Sequence, residues 1–345
     1  MSEGSVKTVV KKGGLGAAFK DYIKNFKLSE HTTGFGFIML FILAIIVSWA
    51  GAGFQGWPVF LQTRNLTNIL RQQSYTGIIA LGMTFVIICG GIDLSVGSMM
   101  AFVGGITIYL LNTFPGNSLS GVVVALVFAL VLGTCTGFLN GFLVTKGRIA
   151  PFIATLGTMS IFRSLIQYFS GASNIVSKNT LYPMIGSGVF LGIPVPVWVF
   201  LILAVIFHIL LNNSRFGRYV CAVGANEQVA RYSAINVQVI KLIPYAITGF
   251  TVAVTALLWS TRINCIQSSG DGTGYELEAI AAVVIGGTSM TGGKGTIIGT
   301  VMGAIMLGMI NNMLVLGGVS SFLQQAARGL VIIAAVLLQY NNSNK

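Results

Sequence analysis

The chain has 345 residues, of which 54% are hydrophobic and only 8% charged, with a mean hydropathy of +0.84. The 20 basic and 8 acidic side chains cannot cover a soluble fold of this length, so a soluble enzyme, a nucleic-acid binder and a disordered chain are excluded, and most of the surface must face lipid. The net charge of +12 then reads as the basic bias of loops on the inner side of a membrane.

Residues 1–34 form a polar tail with Lys7, Lys11, Lys12, Lys20, Lys24 and Lys27. It is too long and basic for the first region of a signal peptide, and no clean cleavage site follows, so a retained cytoplasmic tail is expected. Apolar runs then predict an all-α polytopic fold of about ten spans, near 35–54, 72–90, 94–112, 120–143, 151–170, 195–212, 241–261, 277–290, 296–316 and 321–340. Most reach the ~20 residues that cross the hydrocarbon. The membrane domain is thus 35–340, with its longest internal loop over 212–241 and a short tail at 341–345.

Charge tests this count. With the N-terminus inside, the six tail lysines share the cytoplasmic side with Lys146, Arg148, Arg215, Arg218, Arg231, Lys241, Lys294 and Lys345. Only Arg64, Arg71, Lys178 and Arg262 fall outside, while Arg163 and Arg328 fall within spans. Both termini are therefore expected on the cytoplasmic side of an inner membrane.

Glycine is in surplus, 44 residues against about 24 at the usual ~7%. Two ladders, Gly133/Gly137/Gly141 and Gly295/Gly299/Gly303, suit close helix packing. Gly137–Val144 also resembles Gly308–Val315 at an offset of 171, whereas the ladders repeat at 162. Two five-span halves are expected; because five is odd, one would be inverted relative to the other. The alternative is that small-residue ladders are simply common in membrane helices.

Two apolar segments are interrupted. Tyr75–Ile88 ends at Gly90-Gly91 and restarts after Asp93, near Ser95 and Gly97; Ala279–Ile285 stops at Gly286-Gly287. Such broken helices point to a transporter's substrate path. Gly90, Gly91, Asp93, Ser95, Gly97, Gly286 and Gly287 are the candidate break or gate residues. Asp93 reads either as a gate contact or as an N-cap for the next helix.

Enzymatic chemistry is not indicated. There are two histidines, His31 and His208, and no HExxH or GxSxG pattern. Gly292-Gly-Lys294-Gly-Thr296 fails as a phosphate loop, because Thr288 stands where its first glycine should be and Gly295 replaces Ser/Thr. Cys89, Cys135, Cys221 and Cys265 have no metal or disulfide spacing. Of the acids only Asp93 lies near membrane depth, with Glu276 and Glu278 at a span's start, a thin set for a proton or sodium relay; energy for active transport must come from an ion gradient or a partner. Within the 212–241 loop, Asn226–Asn236 reads as one short helix, capped by Asn226 and carrying the pair Glu227/Arg231. It suits either docking into a partner's groove or a solvated connector.

Three segments carry a resemblance. Gly90-Gly-Ile-Asp-Leu-Ser-Val-Gly-Ser98 is similar to a signature of the permease subunits of bacterial ATP-binding-cassette (ABC) importers for simple sugars. So are Arg218-Tyr-Val-Cys-Ala-Val-Gly-Ala-Asn-Glu-Gln-Val-Ala-Arg231 with Ile235-Asn-Val237, and Gly272–Thr288 continuing through Gly292–Gly295, Asn311-Asn312 and Gly318–Ser321. The likeness covers most of 60–340 and looks closest to ribose-type permeases. It implies a ten-span permease paired with a second copy or a sister chain. Two ATPase subunits would dock beneath it, holding the ATP and magnesium, and an extracytoplasmic sugar-binding protein would deliver the cargo. This chain would itself need no cofactor. The resemblance assigns ATPase coupling to Arg218, Gly224, Asn226, Glu227, Ala230 and Arg231. The family usually has glycine where this chain has Ala234. Import of ribose or a galactose-like sugar is expected, with a nucleoside, another small polar solute or ion-coupled transport as alternatives. Asn140, Asn311 and Asn312 are candidates for the path, or for helix–helix hydrogen bonds.

Overall fold

The structure, a computed structural model, describes residues 32–51 and 56–320, with single positions between 323 and 333. In chain order it holds α1 (Thr32–Gly51), a 3-10 turn (Val59–Leu61), α2 (Thr63–Ile88), α3 (Val96–Leu111), α4 (Leu119–Thr145), α5 (Pro151–Ser170), β1 (Asn174–Val176) and α6 (Pro183–Gly186). There follow β2 (Val189–Phe190), β3 (Ile193–Pro194), α7 (Val195–Asn213), α8 (Arg215–Ala225), α9 (Glu227–Tyr232), α10 (Val237–Ile263), β4 (Cys265–Gln267), α11 (Tyr275–Ile285) and α12 (Ile297–Leu316).

A helix stands at each of the first nine predicted spans. The expected tenth span near 321–340, including Arg328, lies largely outside the described residues, as do 1–31 and the 341–345 tail. Of these helices, α1, α4, α7, α10 and α12 are long and apolar enough to cross a membrane, and α3 is apolar but shorter. The chain is a polytopic, all-α membrane protein.

Two boundaries differ from the sequence reading. α2 begins at Thr63, not near 72, because its first turns carry Arg64, Asn65, Asn68 and Arg71; a helix continues past the apolar stretch that betrays it. α11 has only 11 residues, about 16 Å at 1.5 Å per residue, roughly half the ~30 Å hydrocarbon.

From Gln73 to Ile88 every residue of α2 is buried, the pattern of a helix enclosed by others. On α4, by contrast, Val123, Val127 and Val131 are exposed at helical spacing, as a lipid-facing stripe requires. The ladder on its other side meets α10. A Cβ on Gly137 would strike the Tyr245 carbonyl and Gly249, and one on Gly133 would meet Ala253 and the Gly249 carbonyl. Only glycine lets these backbones touch. The second ladder works likewise: Gly299 and Gly303 of α12 lie against the Gly286 and Ala282 carbonyls of α11.

The packing partners also correspond between halves. α4 packs on α3 and α10, and α12 packs on α11 and α2; α3 contacts α10 as α11 contacts α2. Exchanging α2, α3 and α4 with α10, α11 and α12 reproduces this set. Two small sheets were not legible in the sequence. β1 pairs antiparallel with β4, Ile175 opposite Ile266, and β2 pairs with β3. Both lie at the end of the bundle away from the 212–241 loop.

Candidate functional site

Both predicted breaks are helix ends. α2 stops at Ile88, and Gly90 turns the chain with φ +76°. α3 starts at Val96, two residues later than expected, so Asp93 does not cap its free N–H groups. Its fully buried carboxylate instead holds Ser95, accepting from Ser95 N (2.9 Å) and Ser95 Oγ (2.7 Å) through Oδ1. Asn140 of α4 closes the cluster, donating through Nδ2 to Asp93 Oδ2 (3.2 Å) and Ser95 Oγ (2.7 Å). A buried carboxylate without such donors would cost several kcal/mol. Asp93, Ser95 and Asn140 therefore tie the α2–α3 break to α4.

The second break joins the first. α11 ends at Ile285, Gly286 abuts α12, and Gly287 takes φ +88°. The chain then turns so that Gly293 N donates to the Ile88 carbonyl (2.8 Å). Gly224, the penultimate residue of α8, packs on the same point: a Cβ there would overlap the Ile88 carbonyl and approach Gly293 N. Three segments far apart in sequence thus meet at one carbonyl oxygen.

The 212–241 loop holds two helices, the short one expected after Asn226 and, before it, α8, which the sequence reading did not place. Ser214 caps α8, its Oγ accepting from Gly217 N (3.1 Å), and Asn226 caps α9, its Oδ1 accepting from Val229 N (3.0 Å). Asn226, extended at φ −159°, thus caps α9 as read from the sequence and separates it from α8; the helix stops at Tyr232, short of the expected Asn236. Ala234, where the family carries glycine, keeps the left-handed turn at φ +59°. Glu227 does more than form a surface pair. It accepts from Arg231 (3.2 Å) and also from Lys241 Nζ, which fastens α9 to α10. The hydrogen bond from Lys241 leads the effects that hold its carboxyl below the ordinary value. Ala230 faces inward, whereas Arg218, Arg231, Val229 and Tyr232 are exposed, Tyr232 at 88%. Val229 and Tyr232 were not candidates in the sequence, because their exposure beside the buried Ala230 is visible only in the fold.

At the opposite end, α2, α10, α11 and α12 surround a cavity of about 520 Å³. Of the three candidate path residues only Asn311 lines it; Asn140 belongs to the Asp93 cluster, and Asn312 exchanges hydrogen bonds with Asn65 (3.1 and 2.8 Å). Between β4 and α11 the chain packs against α5 and α3. Arg163, the cation read as lying within a span, donates to the Ser268 (2.8 Å) and Asp271 (2.9 Å) carbonyls. Gly272 then touches the backbone of Gly97 at the start of α3. Among the described residues no cluster of three or more His, Cys, Asp or Glu could hold a metal.

Comparison with known proteins places this arrangement. Residues 65–336 match the family described as branched-chain amino acid transport system / permease component. The chain is 43% identical to the ribose import permease protein of Bacillus subtilis (strain 168), covering 89% of this chain and 92% of that one. It is 42% identical to the ribose import permease protein of Escherichia coli (strain K12), covering 87% and 91%. With the D-allose transport system permease protein of the same strain it shares 37% identity over 86% and 89%. No solved structure gives a significant match. A match across most of the chain, on a bundle whose broken helices meet its basic loop, shows that this protein belongs to the permease-component family.

Proposed function

We propose that this chain is the membrane subunit of an ATP-driven importer of a monosaccharide, ribose or a galactose-like sugar, in a bacterial inner membrane with both termini cytoplasmic. ATP and magnesium are held by two separate ATPase subunits, and an extracytoplasmic binding protein delivers the sugar to this chain paired with a second copy or a sister permease. The observation that carries the reading is the junction at the Ile88 carbonyl. A push on α8 reaches the end of α2 and the link between α11 and α12 through Gly224 and Gly293 with no intervening side chain to absorb it. Close-packed backbone transmits displacement because it cannot compress. Exposed Val229, Arg231 and Tyr232 supply the aromatic and arginine anchors that protein grooves favour. The substrate class rests on the ribose and allose permeases named above.

The test is uptake in cells lacking the gene and complemented with it, using labelled ribose, galactose, uridine and leucine. ATP-dependent, ionophore-insensitive ribose or galactose uptake is expected. Arg231→Glu should abolish uptake while the protein still reaches the membrane. Uptake of leucine or uridine alone would overturn the sugar assignment, and ionophore-sensitive uptake would overturn the ATPase coupling.

A further inference from the structure

The cavity of about 520 Å³ at the end away from the 212–241 loop falls in the ~300–1,000 Å³ range of small-molecule clefts. Its wall is aromatic in one direction. Trp259 meets Tyr75 edge to face at 5.2 Å and Tyr275 at 6.3 Å. Elsewhere the wall is amide-rich, with Gln72, Gln73 and Asn311, and its charges are one cation, Arg262, and one anion, Glu278. Balanced charge disfavours an ionic cargo. Flat rings beside amides suit a solute with a C–H face and a rim of hydroxyls.

A second observation points the same way. Trp259 Nε1 and Asn311 Oδ1 are both buried and have no hydrogen-bond partner. A buried donor or acceptor left unpaired is costly, and here both groups, with the equally unpartnered Tyr75 hydroxyl, stand at the wall of the same cavity. Both are covered in this conformation, so a ligand reaches them only when the wall opens.

We infer that this cavity is a transit site that binds one neutral polyhydroxylated solute, a monosaccharide. The Trp259 ring lies against the sugar's C–H face. As the wall opens, Trp259 Nε1–H donates to one hydroxyl and Asn311 Oδ1 accepts from another. The inference rests on the transport reading above for the solute class, and on the cavity for the place.

The purified full-length chain in lipid nanodiscs is titrated with ribose, galactose and leucine, following tryptophan fluorescence. A saturable change with ribose or galactose and none with leucine is expected. The change should vanish in Trp259→Phe. In Asn311→Leu, where Trp259 still reports, half-saturation should rise about three- to tenfold, the worth of one lost hydrogen bond. Thermal unfolding in the same nanodiscs confirms that both variants are folded. A change that persists in Trp259→Phe, or an unshifted midpoint in Asn311→Leu, would overturn the site. No change with any sugar, in a chain whose cells import sugar, would overturn the site and leave the transport reading standing. A sugar response in a chain whose cells import none would keep the site and overturn that reading.

Discussion

Gly224→Ala tests the central mechanical claim. The added methyl would overlap the Ile88 carbonyl and crowd Gly293 N. Neither neighbour is a flexible side-chain end, so backbone must shift. Overpacking of this kind costs about 1–3 kcal/mol, and separating the Gly293 N–H from the Ile88 carbonyl adds about 1 kcal/mol. The sum is about 2–4 kcal/mol, against roughly 0.5 kcal/mol or less for a change at exposed Ala222 on the same helix. The strain falls on the junction itself, so α8 moves away from α2 while the transmembrane packing survives. Reconstituted with its ATPase and binding protein, the variant should hydrolyse ATP but import sugar at least about tenfold more slowly, a factor that 1.4 kcal/mol at the junction suffices to produce. Gly293→Ala strains the same junction, with its Cβ meeting Ala225, so the double variant should lose less than the sum of the singles. Normal uptake per ATP and an unchanged melting temperature in Gly224→Ala would refute the reasoning.

Two further outcomes are expected. Asn140→Leu removes the donors to Asp93 and Ser95 from the buried cluster and should destabilise the protein by about 1–3 kcal/mol, read as a lower melting temperature in detergent; Asn140→Asp, placing a second carboxylate beside Asp93, should cost more. Ala234→Gly relieves a left-handed alanine and should stabilise the 233–236 turn by about 1 kcal/mol, seen as slower amide exchange at Ile235, with uptake unchanged.

The membrane class, the first nine helices and both break points follow from composition and local pattern. Hydrophobic run length is a one-dimensional property that burial in lipid imposes directly. Gly90-Gly91 and Gly286-Gly287 were legible for the same reason, since a glycine pair ending an apolar run cannot hide. Polar residues misled where tertiary contacts overrode composition. Thr63–Gln72 is helical despite its charges, and the helix capped by Asn226 ends at Tyr232 rather than at Asn236. Three similar asparagines could not be told apart in sequence, yet one holds Asp93, one pairs with Asn65 and one lines a cavity. Their roles depend on residues 47, 247 and about 240 positions away.

What the amino-acid sequence determined by itself is that this chain lives in lipid as a bundle of broken helices. Which glycines bring two backbones into contact was decided only by the tertiary structure. Gly224 looks like any glycine near a helix end until the fold sets it on the Ile88 carbonyl. The physical reason is that a close backbone approach belongs to two segments at once, and neither segment's local sequence contains the other.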